Sequence, residues 1–361
     1  MVRQQSHLQI KNKGVLMKKV TIQDIADALG ISRVSVWKVF SGREGVSDDL
    51  RSKIMSKAIE MGYNMPTGFF DSDGALPEAP QVTISVAVSR PETSVFWVNM
   101  IHEIAREASN SNANVMYTYL PKDASADYEL PSSLTDGSTQ AVVVLNVYDK
   151  NLLKKLTALP IPKVFMDTIT SYPFENLGGD LVLIEGRSSV SKITSHIIKQ
   201  GKKRIGFIGD VEYAQTNFER YYGFKEAMKN ADIEIDESIC LTHSIGADTY
   251  KEEISEFLDG LKKMPEAFVC ANDFVADIVC NKLTEKGYSI PDDIMISGFD
   301  NQSDLSYPVP LTTVNVSSEN FGVRLAKQAL YRIQHPKAYR ELLYICPEVI
   351  FRESTKTKKR R

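Results

Sequence analysis

The chain has 361 residues, 43% of them hydrophobic and 25% charged, the balance of a globular protein large enough for two or three domains. A net charge of −3 argues against a general nucleic-acid-coating role, and no apolar run is long enough to span a bilayer, so no membrane partner is expected. Four scattered cysteines (Cys240, Cys270, Cys280, Cys346) form no C-x-x-C pair and sit near no histidine cluster, which points to reduced thiols, a cytoplasmic protein and no metal site.

The charge is unevenly spread. Residues 1–63 hold eleven Lys/Arg against six Asp/Glu, and KTKKRR closes the sequence. A basic first module on an acidic body suggests that the first module alone meets a polyanion.

Residues 1–18 show no period and read as a disordered extension without the apolar core of a secretory signal; Met17 is an alternative start. Three short helices are expected within 19–64. Thr21 and Asp24 form a capping-box-like start for the first, Ile22, Ile25, Ala26 and Leu29 its stripe, and Gly30 its end. Ser32 can cap the second, ending near Gly42, with Val36, Val39 and Phe40 on one face and Arg33, Val34, Trp37 and Lys38 on the other. The third starts after Ser47 and carries Leu50, Ile54, Ala58 and Met61. Two short helices around a glycine turn fit a helix-turn-helix, in which the second helix enters the major groove. Arg33 and Lys38 can donate to guanine or phosphate and Val34 can touch a thymine methyl; the alternative is a solvated helical face.

Residues 65–81, including PTGFFDSDGALPEAPQ, lack either period and read as a linker or hinge. Across 82–352, apolar strands alternate with helical patterns: VTISVAV, VMYTYL, AVVVLNV, KVFMD, RIGFIGD, AFVCAND and IMISGFD, with helices near 96–109, 188–200 and 218–230 and another ending at Gly287. That alternation implies an α/β body of two lobes built on doubly wound parallel sheets. RIGFIGD lacks the third glycine of a dinucleotide loop, so no cofactor is expected. Residues 353–361 read as a basic, frayed tail.

The run VTIQDIADALGISRVSVWKVFSGREGVSDDLRSKIMSKAIEMGYN resembles the DNA-binding headpiece of the LacI/GalR family of bacterial transcription regulators. The resemblance implies an operator-facing set of Thr21, Ser32, Arg33, Val34, Ser35, Trp37 and Lys38. Trp37 stands where the family commonly has a small polar residue, and Lys38 where it commonly has arginine. After Gly-Tyr the family's x-P-N-x-x-A-R-x-L hinge is replaced by NMPTGFFDSDG, which makes minor-groove wedging less expected and leaves Phe69 and Phe70 as substitute wedges or as packing residues. The rest resembles the family's effector domain, similar to periplasmic sugar-binding proteins, with an N-terminal lobe of about 81–178 plus 303–332.

In such sheets ligands bind beyond the carboxyl ends of strands. Asp167, Asn272, Asp273 and Asp300 lie at such ends, Arg220 lies in FERYYGF, and Phe96 or Trp97 could cover a sugar face. The resemblance carries effector contact to Arg220, Asn272 and Asp300. Plainer readings stand beside these: a helix cap for Asp273, a turn cap for Asp167, core packing for Phe96 and Trp97, an ion pair for Arg220 and packing for His196. The family's D-N-x-x-G-G pattern is replaced by Glu185-Gly186-Arg187-Ser188-Ser189-Val190. The expectation is a homodimeric, ligand-responsive regulator, most simply a repressor, that binds double-stranded operator DNA under control of a small, carbohydrate-like effector. Its alternatives are a phosphocarrier-protein co-effector and a carbohydrate-acting α/β enzyme.

Overall fold

A computed structural model describes residues 20–40, 45–61, 63, 82–89, 95–246, 249–302, 305 and 307–357. The expectations for residues 1–18, for the linker and for Gly42 lie outside the described residues. The chain divides into two compact units, 1–81 and 82–361.

The first unit contains α1 (Ile22–Leu29), α2 (Arg33–Phe40) and α3 (Asp48–Glu60). Thr21 and Asp24 form a complete capping box, and Gly30 ends α1 at φ +65°, a left-handed conformation that costs glycine nothing. The Ser32 hydroxyl accepts from the Ser35 amide at 3.1 Å, and α2 starts at the next residue, Arg33. Ile25, Ala26, Val36, Val39, Ile54 and Ala58 are buried together, and Phe40 stacks on Tyr63 with centroids 5.2 Å apart. Six small apolar side chains make a thin core, so the turn chemistry contributes a large share of this unit's definition.

The second unit begins with β1 (Val82–Val88), α4 (Val95–Asn110), β2 (Ala113–Tyr119), β3 (Ala141–Leu145), α5 (Lys150–Thr157), β4 (Lys163–Met166), α6 (Phe174–Leu177) and β5 (Asp180–Ile184). Next come α7 (Arg187–Lys199), β6 (Ile205–Ile208), α8 (Gln215–Asn230), α9 (Tyr250–Gly260), β7 (Ala267–Cys270), α10 (Asp273–Glu285) and β8 (Met295–Ser297). It closes with β9 (Thr313–Asn315), α11 (Ser318–Gln334), β10 (Leu342–Ile345) and β11 (Glu348–Ile350). One sheet has the order β10-β5-β4-β3-β1-β2, all parallel, and a second has the order β6-β7-β8, also parallel. The strand AVVVL is buried at every position, as a parallel strand covered on both faces must be.

The chain passes between the two sheets after β5, after β9 and after β10. The expected lobe boundary at residue 178 therefore moves. β5 pairs with β4, and β10 pairs with β5, so 180–184 and 342–345 belong to the first lobe. A buried ion pair explains why. Asp180, fully enclosed, accepts from Arg332 Nε at 2.5 Å and also from Arg332 Nη2, from Gln328 Nε2 at 2.6 Å and from the Glu341 amide at 2.8 Å. These bonds fasten β5, α11 and the approach to β10 together.

The tail expected from residue 353 also starts later. Ser354 and Thr355 are buried: Ser354 Oγ donates to the Ile296 carbonyl at 2.6 Å and accepts from the Thr312 amide, and Thr355 Oγ1 lies 2.7 Å from Thr312 Oγ1. His196 Nε2 lies 3.1 Å from the Thr355 carbonyl oxygen and its ring packs on Phe351 at 4.4 Å, so its role is packing. Residues 358–361 lie outside the described residues.

Candidate DNA-reading face and inter-lobe site

On α2 the burial splits as the spacing requires. Val36 and Val39 are enclosed, whereas Arg33, Val34 and Trp37 are exposed, the last two at 59% and 43%. Ser35 is half-buried and its hydroxyl lies 2.9 Å from that of Ser32, so these two serines, like Thr21, shape the turn as well as edging the exposed face. Lys38 is half-buried; a Cβ on Gly45 would come within 3.2 Å of its Nζ, which places the ammonium near the start of the third helix. Arg33, Val34 and Trp37 thus share one uncovered surface at i, i+1 and i+4, with Lys38 folded beside it.

In the second unit, three strand ends turn in the same unusual way. Asn146 after β3, Asp167 after β4 and Asp300 after β8 have φ of +55°, +67° and +105°, a region in which Asn and Asp are enriched among non-glycine residues. They bring short polar side chains to the carboxyl ends of the strands, where the two sheets face each other.

Asp167 is committed across the lobes. Its carboxylate accepts from the Thr168 amide at 2.8 Å, the Thr216 amide at 3.3 Å, the Thr216 hydroxyl at 2.6 Å and the Tyr148 hydroxyl at 3.2 Å. The Gln215 amide donates to the Thr168 carbonyl at 2.7 Å. Helix α8 has Ala214 at its N-cap and no side-chain cap of its own. Its first turn is instead capped from the first lobe, and the expected turn cap at Asp167 is also a helix cap at long range. Burial raises the Asp167 pKa, against which its hydrogen bonds work. Next to it Tyr148 of the first lobe packs on Tyr213 of the second with centroids 4.2 Å apart, and the Tyr213 hydroxyl donates to Asn146 Oδ1 at 3.3 Å.

Arg220, buried on α8, donates from Nη1 to the Ala271 carbonyl at 2.8 Å and lies 3.6 Å from Asp300 through Nη2. Its guanidinium sits 3.7 Å above the Phe299 ring, and its Nε is buried without a partner among the described residues. A Cβ at Gly186 would lie 2.8 Å from Arg220 Cγ, so the crossover from β5 passes this side chain at a distance only glycine allows.

Asn272, not Asp273, is the N-cap of α10: its Oδ1 accepts from the Val275 amide at 2.8 Å. This corrects the helix-cap reading of Asp273. That carboxylate turns inward and accepts from the Thr313 hydroxyl at 2.7 Å and the Gln302 amide at 2.9 Å. Burial first, and then the negative Asp300, push its pKa up to about 7. Phe96 and Trp97, edge-to-face at 5.4 Å, are half-buried against the body's main apolar cluster, which is the packing alternative.

The strand ends and α8 thus bring Asp167, Arg220, Asn272 and Asp300 to one side of the body, while Phe96 and Trp97 pack half-buried against the apolar cluster. Residue spacing missed Asn146, Tyr148, Tyr213, Thr216 and Gly186. The signal available for them was Ala214 at the start of an otherwise uncapped helix, which demands a cap from elsewhere. No cluster of three or more His, Cys, Asp or Glu suited to a metal occurs among the described residues.

A family profile, the periplasmic binding protein-like domain, matches residues 194–355. The transcriptional repressor PurR of Mannheimia succiniciproducens is 27% identical over 341 residues, 93% of this chain and 98% of that one. Among solved structures, a lac repressor dimer bound to operator and the anti-inducer ONPF superposes with a TM-score of 0.66 at 19% identity, covering 94% of this chain and all of that one. The regulator CelR with cellobiose gives 0.65 at 20% identity over 93% of this chain and all of that one. The body therefore has the periplasmic-binding-protein fold, and a three-helix unit precedes it in the chain.

Proposed function

We propose that this chain, a DNA-binding transcription regulator of the LacI/GalR kind and not an enzyme, is a cytoplasmic homodimeric repressor. A small oxygen-rich effector, of which a sugar is the simplest example, controls it from the inter-lobe site. The PurR relative, a transcriptional repressor, is matched over 98% of its length, and the CelR neighbour is a complex with cellobiose. One observation carries the effector reading. Arg220 is buried, its Nε has no acceptor among the described residues, and its carboxylate neighbour Asp300 lies at 3.6 Å, beyond hydrogen-bonding distance. A buried cation with an idle donor fits an incoming hydroxyl or carbonyl oxygen.

The mechanism follows from where the hydrogen bonds run. Asp167, Thr168 and Tyr148 of the first lobe hold Thr216, Gln215 and Tyr213 of the second. An effector that bonds to Arg220 and Asn272 on one lobe and to the Asp167 side on the other shifts the balance between closed and open lobes. It changes DNA affinity only to the extent that it binds the two states differently. At the headpiece, Arg33 and Lys38 would supply cationic donors and Val34 and Trp37 apolar contact in the major groove, two headpieces reading a near-palindromic site. Thr21, Ser32 and Ser35 would donate from the helix starts.

The test is a gel shift with a palindrome taken from upstream of the gene, at several salt concentrations, with and without sugars. Affinity should fall steeply with salt and move with one sugar class. No binding at low salt would sink the regulator reading. Binding that no sugar alters, but that a phosphocarrier protein does, would favour the protein co-effector.

A further inference from the structure

A pocket of about 460 Å³ opens where α8, the start of α7 and the edge strand β10 meet. One stripe of α8 forms a wall, with Phe218, Glu219 and Tyr222 at helical spacing, and Glu185, Arg187 and Tyr344 complete it. Phe218, Tyr222 and Tyr344 are all exposed although large and aromatic. Such a trio on one concave surface is unlike the scattered apolar residues of an ordinary exterior. Tyr344 comes from the first lobe and the α8 stripe from the second, so the pocket draws on both.

Its polar groups are arranged for positive charge. Glu219 Oε1 accepts from the Tyr344 hydroxyl at 2.8 Å and from Gln215 Nε2 at 3.1 Å, while its second oxygen takes no hydrogen bond among the described residues. Burial and that bond raise the Tyr344 pKa, which keeps the phenol a donor. Glu185 spends its oxygens on the Ser188 and Ser189 amides at the start of α7. Arg187, the one cation of the wall, is held bidentately by Glu226 at 3.1 and 2.9 Å and lies 4.4 Å over the Tyr222 ring. The lining itself holds two carboxylates, Glu185 and Glu219, against the Arg187 guanidinium, and its neighbours Glu226 and Lys225, the latter 5.7 Å over the Tyr222 ring, offset each other, which leaves the surroundings at a formal −1.

We propose that this pocket is a second ligand site that takes a small organic cation, a substituted ammonium with an aromatic or methylated body. The ammonium sits against the idle Glu219 oxygen, and its apolar body lies over the faces of Phe218 and Tyr344. Arg187 over Tyr222 is the same interaction already made within the chain. Because the walls belong to different lobes, the cation favours the lobe arrangement described here and acts beside the strand-end effector, not in its place.

Calorimetric titration of the full chain tests this without DNA or sugar, so its failure is separable from that of the repressor reading. Three ligands share one aromatic body and differ in charge: benzyltrimethylammonium, benzyl alcohol and benzoate. The ammonium should bind about two- to fivefold more tightly than either of the others, the scale of a cation–π contact at an exposed site. Glu219→Gln, which retains an acceptor for Tyr344, should remove most of that preference, and Phe218→Ala should weaken the ammonium; unchanged thermal melting of each variant shows that it is folded. No ammonium binding at millimolar concentration, equal binding of all three, or a preference that survives Glu219→Gln overturns the proposal. A preference for benzoate overturns it too and assigns the pocket to Arg187.

Discussion

Replacing Thr216 by valine keeps the shape of the side chain and deletes one hydroxyl, the one that reaches Asp167 across the lobes at 2.6 Å. Both residues are buried, so water cannot readily take its place. The carboxylate then keeps the Thr168 amide, the longer 3.3 Å bond from the Thr216 amide and the 3.2 Å bond from Tyr148. A hydrogen bond to a charged acceptor contributes about 1.5–3 kcal/mol, and a partly deserted buried carboxylate puts the loss toward the upper end. For a unit of this size that is a fall in Tm of roughly 3–12 °C, by the usual conversion of about 2–4 °C per kcal/mol. Differential scanning calorimetry of wild type, Thr216→Val and Thr216→Ser measures it. Serine retains the hydroxyl and should recover most of the loss. A valine variant that melts within a degree of wild type, or a serine variant as damaged as valine, would refute the idea that this hydroxyl clasps the lobes.

Trp37→Ser should leave headpiece folding intact, since the core is Val36, Val39 and their partners, while weakening operator binding or changing its sequence preference by about 1–3 kcal/mol; gel shifts against a panel of half-site variants decide it, and an unchanged panel counts against a reading role. Asp273 has a native pKa of about 7, above its ordinary carboxylate value, so the native state binds its proton more tightly than the unfolded chain does. Its contribution is therefore fully present below about pH 4 and is lost as pH rises toward 7, at up to about 1.4 kcal/mol per pH unit. Urea unfolding of wild type and Asp273→Asn over that window should show a stability difference that grows in favour of the asparagine variant, and parallel curves would contradict it. Arg332→Met leaves Asp180 buried without its cation and should cost about 3–5 kcal/mol, read from the denaturant midpoint; a loss below about 1 kcal/mol would show that Gln328 and the Glu341 amide suffice.

The headpiece was legible because its signals are local. The Thr21–Asp24 box, the Gly30 terminus and the Ser32 cap each lie within four residues of what they organise. The continuous apolar strands likewise announced a parallel α/β body. What escaped the sequence depends on partners far along the chain. Asp180 can sit in a sheet only because Arg332 neutralises it, and nothing near DLVLI says so. Asp167 looks like a turn residue until α8, with alanine at its N-cap, is set against it. Asn272 and Asp273 are equally able caps; the Thr313 hydroxyl, 40 residues on, draws the aspartate inward and leaves the cap to asparagine. Ser354 and Thr355 read as frayed polar tail because their partners, Ile296 and Thr312, are remote.

The three passages of the chain between the sheets also set the order in which the protein comes into being. The headpiece is contiguous and complete by Tyr63. Neither lobe is: the first lobe waits for β10, and the second for Ser354 and Thr355, which follow β10 in the chain. At about 5–20 residues per second, the 292 residues from Tyr63 to Thr355 take about 15–60 s to add. For that interval each nascent chain carries a finished three-helix unit ahead of an unfinished α/β body. The three-helix unit exists before either lobe of the body does.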